Sequence, residues 1–314
     1  MPDTYLGPVE DLGATLMHEH VFGLSPEIIW NWPGEWDQPR RVAEAVAKLD
    51  ALKAHGIDSI VDLTVIGLGR YAPAVLEVAE KSSIQIVAAT GLYTYDALPP
   101  FFGNRGPGTL FGGEDRLAEY FIRDITQGIG ESLVRAAMLK CASDHHGITE
   151  GCERVFRAVA DAHLATGVPI TTHSAAPQGL AQQELLASCG VDLGKVVIGH
   201  AGDSTDLAYL EALIANGSYI GMDRFGIEIT SFEDRVATVG ALCERGHSGR
   251  MVLSHDSYCF NDRFDEAVVR ARHPNYHLLH IPRDVLPELR RRGVTEEQIH
   301  EMLVVNPRRI FNGD

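Results

Sequence analysis

Short runs of β-branched and apolar residues alternate with longer amphipathic stretches along most of the chain. The short runs predict eight β-strands, because brief apolar runs bounded by turn residues are typical of strands in a buried sheet. In chain order they are ATLMHEH, DSIVDLTV, IQIVAAT, AAMLK, VPITTHS, KVVIGH, SYIGMD and RMVLSHD.

The stretches between these runs show the period of amphipathic helices. Examples are PRRVAEAVAKLDALKAHG, EGCERVFRAVADAHLATG and TDLAYLEALIANG, and the first two end in the glycine expected at a helix C-terminus. Eight strands alternating with helices over about 300 residues predict an α/β fold, a (β/α)8 TIM barrel that forms one domain over residues 1–314. A doubly wound open sheet is the alternative, although no G-x-G-x-x-G follows the first strand.

Composition excludes several classes of partner. The 314 residues are 45% hydrophobic and 22% charged, as in a globular protein, and 27 basic residues against 43 acidic ones give a formal net charge of −16. Nucleic acids and anionic membrane surfaces both need a cationic footprint, so we expect neither as a partner.

The lack of a visible targeting signal and the cysteine usage lead us to expect a cytoplasmic protein. The start, MPDTYLGPVEDLG, lacks a basic segment followed by an apolar one, and no run approaches the roughly 20 apolar residues of a membrane span. The five cysteines form no C-x-x-C pair, so we expect reduced thiols that bind no metal.

The first predicted strand contains the unusual stretch LMHEHVF, in which His18 and His20 stand one residue apart. Side chains at i and i+2 of a strand share a face, so both imidazoles would project to one side and Glu19 to the other. Two imidazoles on one face suit a metal ion, but such a pair alone also fits a half-buried polar edge.

Other predicted strands also end in residues able to bind a metal. Strand four ends with Lys140, strand five with His173, strand six with His200 and strand eight with Asp256. Active sites of barrels lie at the carboxyl ends of the strands, where these side chains would converge. Singly, His173 fits a buried hydrogen bond and Asp256 a loop cap, but the coincidence of all of them at one rim favours a metal centre.

The residue types indicate a borderline divalent metal, since four histidines and an aspartate suit zinc, cobalt, iron or manganese. Lys140 is exceptional, because an ammonium group repels a metal ion. It could be a ligand only when neutralised or modified, for instance as a carbamate formed with carbon dioxide.

Together, the motifs GATLMHEHVF, IVDLTVIGLGR, ATGLYTY, MLKCASD, VPITTHS, VVIGHAGDSTD, IGMDRFG and MVLSHD resemble those of the phosphotriesterase family, most closely its phosphotriesterase-like lactonases. The similarity extends from about Gly13 to Phe311. It implies an amidohydrolase-type barrel with two divalent metal ions. His18, His20 and Asp256 would hold the more buried ion, and two further histidines the more exposed one.

Those two histidines are His173 and His200, and the resemblance further implies that carboxylated Lys140 and a hydroxide bridge both ions, most simply two zinc ions. The hydroxide would attack a lactone or phosphoryl centre while Asp256 takes up the proton and passes it to the leaving group. Relatives are usually homodimers, and the aromatic segment IIWNWPGEW would serve as a dimer contact, a lid or both.

The same motifs indicate residues near the substrate. Tyr95 would lean over the exposed metal, with a packed loop aromatic as the alternative, and Arg224 would lie beside the substrate, with a salt bridge to Asp223 or Glu228 as the alternative. Tyr258 stands where many of these lactonases have cysteine, and the segment SAAPQGLAQQ after the fifth strand is shorter than in several relatives.

An acyl chain would lie along Phe260 and Phe264, whereas we expect His145 and His146, in the loop after the fourth strand, not to bind metal. The favoured function is hydrolysis of lactones, for example N-acyl homoserine lactones, as in quorum quenching, with promiscuous phosphotriesterase activity. A phosphotriesterase proper is the main alternative, and a non-catalytic metal- or ligand-binding barrel the remote one.

Overall fold

The computed structural model describes residues 1–313 as a barrel of parallel strands surrounded by helices, preceded by a short hairpin of β1 (Asp3–Thr4) and β2 (Gly7–Pro8). The strands of the barrel are β3 (Thr15–Gly23), β4 (Ser59–Asp62), β5 (Gln85–Gly91), β6 (Met138–Ala142), β7 (Ile170–His173), β8 (Val196–Ile198), β9 (Tyr219–Met222), β10 (Met251–Leu253) and β11 (Tyr258–Asn261). All eight predicted strands are present.

The strands pair in chain order, each parallel to its predecessor from β3 to β10. The barrel closes through β11, which pairs in parallel with β3, so β10 and β11 are two pieces of one eighth strand. Sequential order and closure confirm the TIM barrel and exclude the doubly wound alternative, in which the strand order reverses.

The α-helices lie after the strands or in the loops. They are α1 (Pro26–Asn31), α2 (Gln38–Ala54), α3 (Ala72–Lys81), α4 (Pro100–Gly103), α5 (Leu117–Thr126), α6 (Glu150–Thr166), α7 (Gly179–Ser188), α8 (Leu207–Ala215), α9 (Phe232–Glu244), α10 (Glu266–Arg272), α11 (Leu286–Arg291), α12 (Glu296–His300) and α13 (Asn306–Asn312). Along residues 1–313, none of the helices has the length and apolar character that a membrane crossing requires.

Local sequence explains where the long helices begin and end. In α6, the Thr149 side chain accepts the Cys152 amide hydrogen at the N-cap, and Gly167 ends the helix in the left-handed conformation at φ 74°. The helix ends predicted from glycine are therefore confirmed for α6, and Gly56 follows α2 with φ 89°.

The alternation of each strand divides the core into two layers. Residues such as Ile60 and Ile86 pack outward against the helices, whereas Val61, Val87 and Met138 fill the barrel interior. This interior packing supports the carboxyl ends of the strands, where the predicted metal ligands lie.

The sequence pattern suggested that each predicted ligand ends its strand. Two of them instead lie beyond the last residue of the strand. His200 follows β8 by two residues and Asp256 lies in the break between β10 and β11, with φ values of 59° and 58°. At both residues the left-handed conformation coincides with the end of the regular strand.

Gly91 of β5 lies close against the backbone of Lys140 in β6, and we expect Gly91→Ala to destabilise the protein. Its φ is 139°, and a Cβ atom there would lie 1.9 Å from the Lys140 carbonyl oxygen. We expect a loss of at least about 2 kcal/mol in the free energy of unfolding by urea. Gly240→Ala in α9 is the matched control, since a Cβ atom meets nothing within 4 Å there. Equal stability of the two variants would contradict the expectation.

Candidate metal centre

β3 delivers two imidazoles to the carboxyl end of the barrel. His18 and His20 are each 1% exposed, and their ring centroids are 5.6 Å apart. Glu19 between them points to the opposite side, as the period of two predicts, and is fully buried.

The other four predicted ligands meet these imidazoles from four different places in the chain. Lys140 lies within β6, His173 ends β7, and His200 and Asp256 follow β8 and β10. The three basic side chains are at most 2% exposed.

The polar atoms of the six residues form one continuous cluster. The separations are 3.0 Å from Lys140 Nζ to His18 Nε2, 3.1 Å from His20 Nε2 to Asp256 Oδ1, 3.4 Å from His18 Nε2 to Asp256 Oδ1, 2.8 Å from His173 Nδ1 to His200 Nε2, and 3.8 Å from His200 Nε2 to Asp256 Oδ2. The structure therefore brings all six together.

Acidic and hydroxyl groups behind the cluster fix the outer nitrogen of each ring. Asp223 accepts from Nδ1 of both His18 and His200, at 3.0 Å each. Asp144 accepts from His173 Nε2 at 2.7 Å. Because each outer nitrogen donates its hydrogen, the inner nitrogen of each ring has only a lone pair.

His20 follows the same rule through a relay. Its Nδ1 lies 2.8 Å from Thr64 Oγ1, whose own hydrogen goes to Asp62 Oδ1 at 2.6 Å. The hydroxyl can then only accept from His20, so the inner Nε2 of His20 is also a bare lone pair.

This arrangement brings hydrogen-bond acceptors next to one another without a hydrogen between them. The inner nitrogens of His173 and His200 face each other, and that of His20 faces a carboxylate oxygen of Asp256. Contacts of this kind repel unless a cation lies among them. The donor set therefore fits divalent metal, and two groups that could hold an ion share His18: His18, His20 and Asp256, and His18, His200 and Asp223.

Burial favours the neutral, metal-binding form of three of the four imidazoles. It lowers the pKa of His20 to about 3, and also lowers the pKa values of His173 and His200. Burial likewise lowers the pKa of the Lys140 amine to about 8, so part of this lysine is uncharged near neutral pH.

A cavity of about 510 Å³ opens over the cluster, and Tyr95, Arg224, Tyr258 and Phe264 are among the residues that line it. The Tyr95 ring centroid is 5.2 Å from that of His173, and Tyr258 stacks on His20 at 4.3 Å. Tyr95 therefore lies next to the cluster, where its ring also packs against Tyr93.

Arg224 makes salt bridges, but not with Asp223 or Glu228. Its Nε donates to Asp256 Oδ2 at 3.2 Å and a terminal nitrogen to Asp203 Oδ2 at 2.9 Å. The guanidinium thus connects the cluster to the cavity wall and orients the Asp256 carboxylate.

Phe260 does not line this cavity but a neighbouring one, which shares Tyr258 and Phe264 with it. It lies two residues beyond Tyr258 on β11, where Arg41 covers its ring at 3.7 Å and Trp36 lies 5.8 Å away. Packing against Arg41 of α2 and against Trp36, which precedes α2, holds the Phe260 ring outside the cavity over the cluster.

Sequence reasoning missed the residues behind the ligands. Asp223 directly follows β9 in the motif IGMDRFG, and Asp144 follows β6 by two residues in MLKCASD; this position after a strand was the available signal. His145 and His146 belong to neither ligand group found in residues 1–313, and both are exposed.

Comparisons with known proteins agree with this geometry. The sequence model of the phosphotriesterase family matches residues 2–311. The chain belongs to the phosphotriesterase family. That family is part of the amidohydrolase superfamily, and the protein is accordingly a phosphotriesterase-family hydrolase.

Among phosphotriesterase-family proteins, the chain is 54% identical over 319 residues to the "Phosphotriesterase homology protein" of Mycobacterium tuberculosis, covering 99% of this chain and 98% of the relative. It is 37% identical over 309 residues to an "Aryldialkylphosphatase" of Saccharolobus solfataricus, covering 96% of each chain. A solved structure of "the phosphotriesterase from Mycobacterium tuberculosis" superposes with a TM-score of 0.97 at 54% identity, covering 99% and 98% of the two chains.

The buried histidines make the stability of the metal-free protein depend on pH. An unfolded chain takes up protons on His20, His173 and His200 below the ordinary histidine pKa of 6.5, whereas the folded chain takes them up only at lower pH, because burial lowers these pKa values. Stability therefore falls as pH falls, by up to about 1.4 kcal/mol per pH unit for each histidine. Asp62, whose pKa burial raises from 3.8 to about 6, offsets part of this loss below about pH 6.

We expect urea unfolding of metal-free protein to give a lower free energy at pH 5.5 than at pH 7. His20→Asn should weaken this dependence, and His146→Asn, which alters an exposed histidine, should leave it unchanged. Greater stability at pH 5.5 would contradict the expectation.

Proposed function

We propose that the protein is a single-domain hydrolase of lactones that uses two divalent metal ions. The observation that carries the proposal is the set of inward lone pairs, since each of the four imidazoles lies within 4 Å of another imidazole or of the Asp256 carboxylate, and cations between them would relieve the repulsion. His18, His20 and Asp256 would hold one ion. Zinc suits this donor set best, and cobalt, iron or manganese would also fit.

The second ion would be held by His173 and His200, with carboxylated Lys140 as the bridge. Lys140 is buried with its Nζ 3.0 Å from His18 Nε2, so its end group lies inside the ligand set. The neutral amine adds to the carbon of carbon dioxide, forming an N–C bond and releasing one proton. The resulting carbamate is an anion with two oxygens, which removes the conflict between an ammonium and metal.

The ions, when bound, would supply Lewis acidity for the substrate carbonyl and lower the pKa of water. The protein's own groups then have separate tasks. Asp256 accepts the proton of the attacking water and returns it to the departing alkoxide. Arg224 holds that carboxylate in place from the cavity side, and Tyr95, beside His173, orients the carbonyl oxygen.

The cavity walls favour a slim ring with an apolar tail. Tyr258 covers His20, while Phe264, Val268 and Val269 line the outer part of the cavity. An N-acyl homoserine lactone has this shape, because its ring is compact and its acyl chain flexible. Hydrolysis of such lactones would make the protein a quorum-quenching enzyme.

A phosphotriesterase proper is the second candidate. It is favoured by the 37% identity to an aryldialkylphosphatase, a name that refers to organophosphate esters. A non-catalytic barrel accounts less well for the contact between Arg224 and Asp256, because a protein that only binds metal needs no oriented proton acceptor.

We also propose a homodimer. Trp30 and Trp32 are 77% and 60% exposed, and Ile28 is 45% exposed on the same short helical segment. Exposed aromatic residues in such a group are typical of an interface core, and an isologous contact would cover both copies.

The proposed metal centre can be tested by the metal content of the protein. Metal analysis of the active protein should give about two ions per chain. A high-resolution crystal structure should show additional density on Lys140 Nζ, because the bridge requires a carbamate. A free ammonium at Lys140 in fully metallated, active protein would refute the proposed bridge.

Asp256→Asn tests the proton acceptor. Because an amide cannot take up the proton, turnover should fall by at least about 100-fold. Metal content must be measured in the same samples, since Asp256 is also a proposed ligand. A near-normal rate at full metal content would show that the proton leaves by another route.

A substrate panel separates the two candidate functions. With the same metals, we expect kcat/KM for the best lactone to exceed that for an aryl dialkyl phosphate by at least about 100-fold, or roughly 2.7 kcal/mol. Tyr258→Ala should narrow the ratio by making room for a bulkier ester. Phe260→Ala is the control, since that ring lies outside the cavity. Faster hydrolysis of the triester than of every lactone would refute the lactonase assignment.

A further inference from the structure

The barrel closes where its first strand meets the break in its last one. Between β10 and β11, residues 254–257 leave the strand conformation, and Asp256 lies at φ 58°. For a non-glycine residue this conformation costs on the order of 1–3 kcal/mol and persists only where surrounding contacts impose it. The contacts that impose it therefore determine where the Asp256 carboxylate points.

Three consecutive amide groups of the break donate to two residues of β3. The amides of His255 and Ser257 donate to Oε1 and Oε2 of Glu19, at 2.9 and 3.0 Å. The amide of Asp256, between them, donates to the carbonyl oxygen of His18 at 3.0 Å. One carboxylate thus fixes the backbone on both sides of Asp256.

The Glu19 carboxylate has no other task in residues 1–313. It is fully buried, lies outside the cavity, and receives one further hydrogen bond, from His255 Nδ1 at 2.7 Å. His255 Nε2 in turn accepts the Ile281 amide hydrogen at 2.9 Å, so its ring hydrogen is on Nδ1 and is donated to Glu19. Burying a carboxylate is costly unless all of its hydrogen bonds are made, as they are here.

We infer that Glu19 is a positioning residue for Asp256: it holds the break of the eighth strand in the left-handed conformation that aims Asp256 at His18, His20 and Arg224. The inference rests on the proposed metal centre for its functional consequence, but not for its geometry. Both faces of β3 then contribute to the site. His18 and His20 project inward, and Glu19, on the outer face, holds the backbone on both sides of Asp256.

The competing explanation is that Glu19 only stabilises the closure of the barrel, where β3 pairs with β11. In that case its loss would lower stability without altering the site. The two explanations differ in local readouts, namely the protection of the Ser257 amide and the coordination of a bound metal ion. Both can be measured on the full-length protein.

The experiment compares Glu19→Gln with wild type before and after addition of cobalt(II). Glutamine keeps one oxygen but turns an NH2 group toward an amide hydrogen. Hydrogen exchange at Ser257 should therefore accelerate by at least about tenfold, since a hydrogen bond to a charged group is lost. With cobalt(II) bound, the visible absorption band should change, and kcat should fall about 10- to 100-fold with KM within about threefold.

Asp124→Asn is the matched control. Asp124 is also a buried carboxylate, 7% exposed, and it binds Arg70 and Thr90 at 2.7 and 2.6 Å, away from the cavity. It should lower the melting temperature while Ser257 exchange, the cobalt band and kcat remain those of wild type. This separates general destabilisation from a local effect on Asp256.

Three results would overturn the inference. They are unchanged Ser257 exchange in Glu19→Gln, faster exchange with an unchanged cobalt band and kcat, and failure of both Glu19→Gln and the shorter Glu19→Asp to fold while Asp124→Asn folds. If wild type itself takes up no cobalt(II), the proposed metal centre fails, and the exchange result still decides the role of Glu19.

Discussion

The site depends on the direction of the imidazole hydrogens. Asp223, Asp144 and Thr64 draw each ring hydrogen outward, which leaves lone pairs facing one another at the carboxyl end of the barrel. Without cations this arrangement is repulsive, so the strands must hold it against its own electrostatics. Burial of the barrel interior and the regular pairing of parallel strands provide that rigidity.

Chemistry and specificity come from different parts of the fold. The ligand cluster lies on strands or within three residues of their ends, whereas much of the cavity wall comes from residues 258–276, which follow the break in the eighth strand. Changes in this segment can alter the shape of the cavity without touching a ligand. Strand-borne residues have no such freedom, because each contacts another strand.

Much of the fold and the ligand set could be predicted from the sequence because both follow from local patterns. Period two placed His18 and His20 on one face, and strand ends indicated Lys140 and His173. The partners of the ligands could not be predicted in this way, since Asp223 contacts His18 across 205 residues of chain. The position of Phe260 likewise depends on Arg41, which only the folded barrel brings near.

The closure of the barrel also sets when the site can exist. Asp256 contacts His20 across 236 residues, and the first and last strands must be paired before these two side chains meet. During synthesis from the N-terminus, the histidines of β3 are therefore made first and wait for their carboxylate until almost the whole chain has been made. Assembly of the complete side-chain cluster is in this sense a late folding event, because it needs residues from both the first and the last part of the barrel.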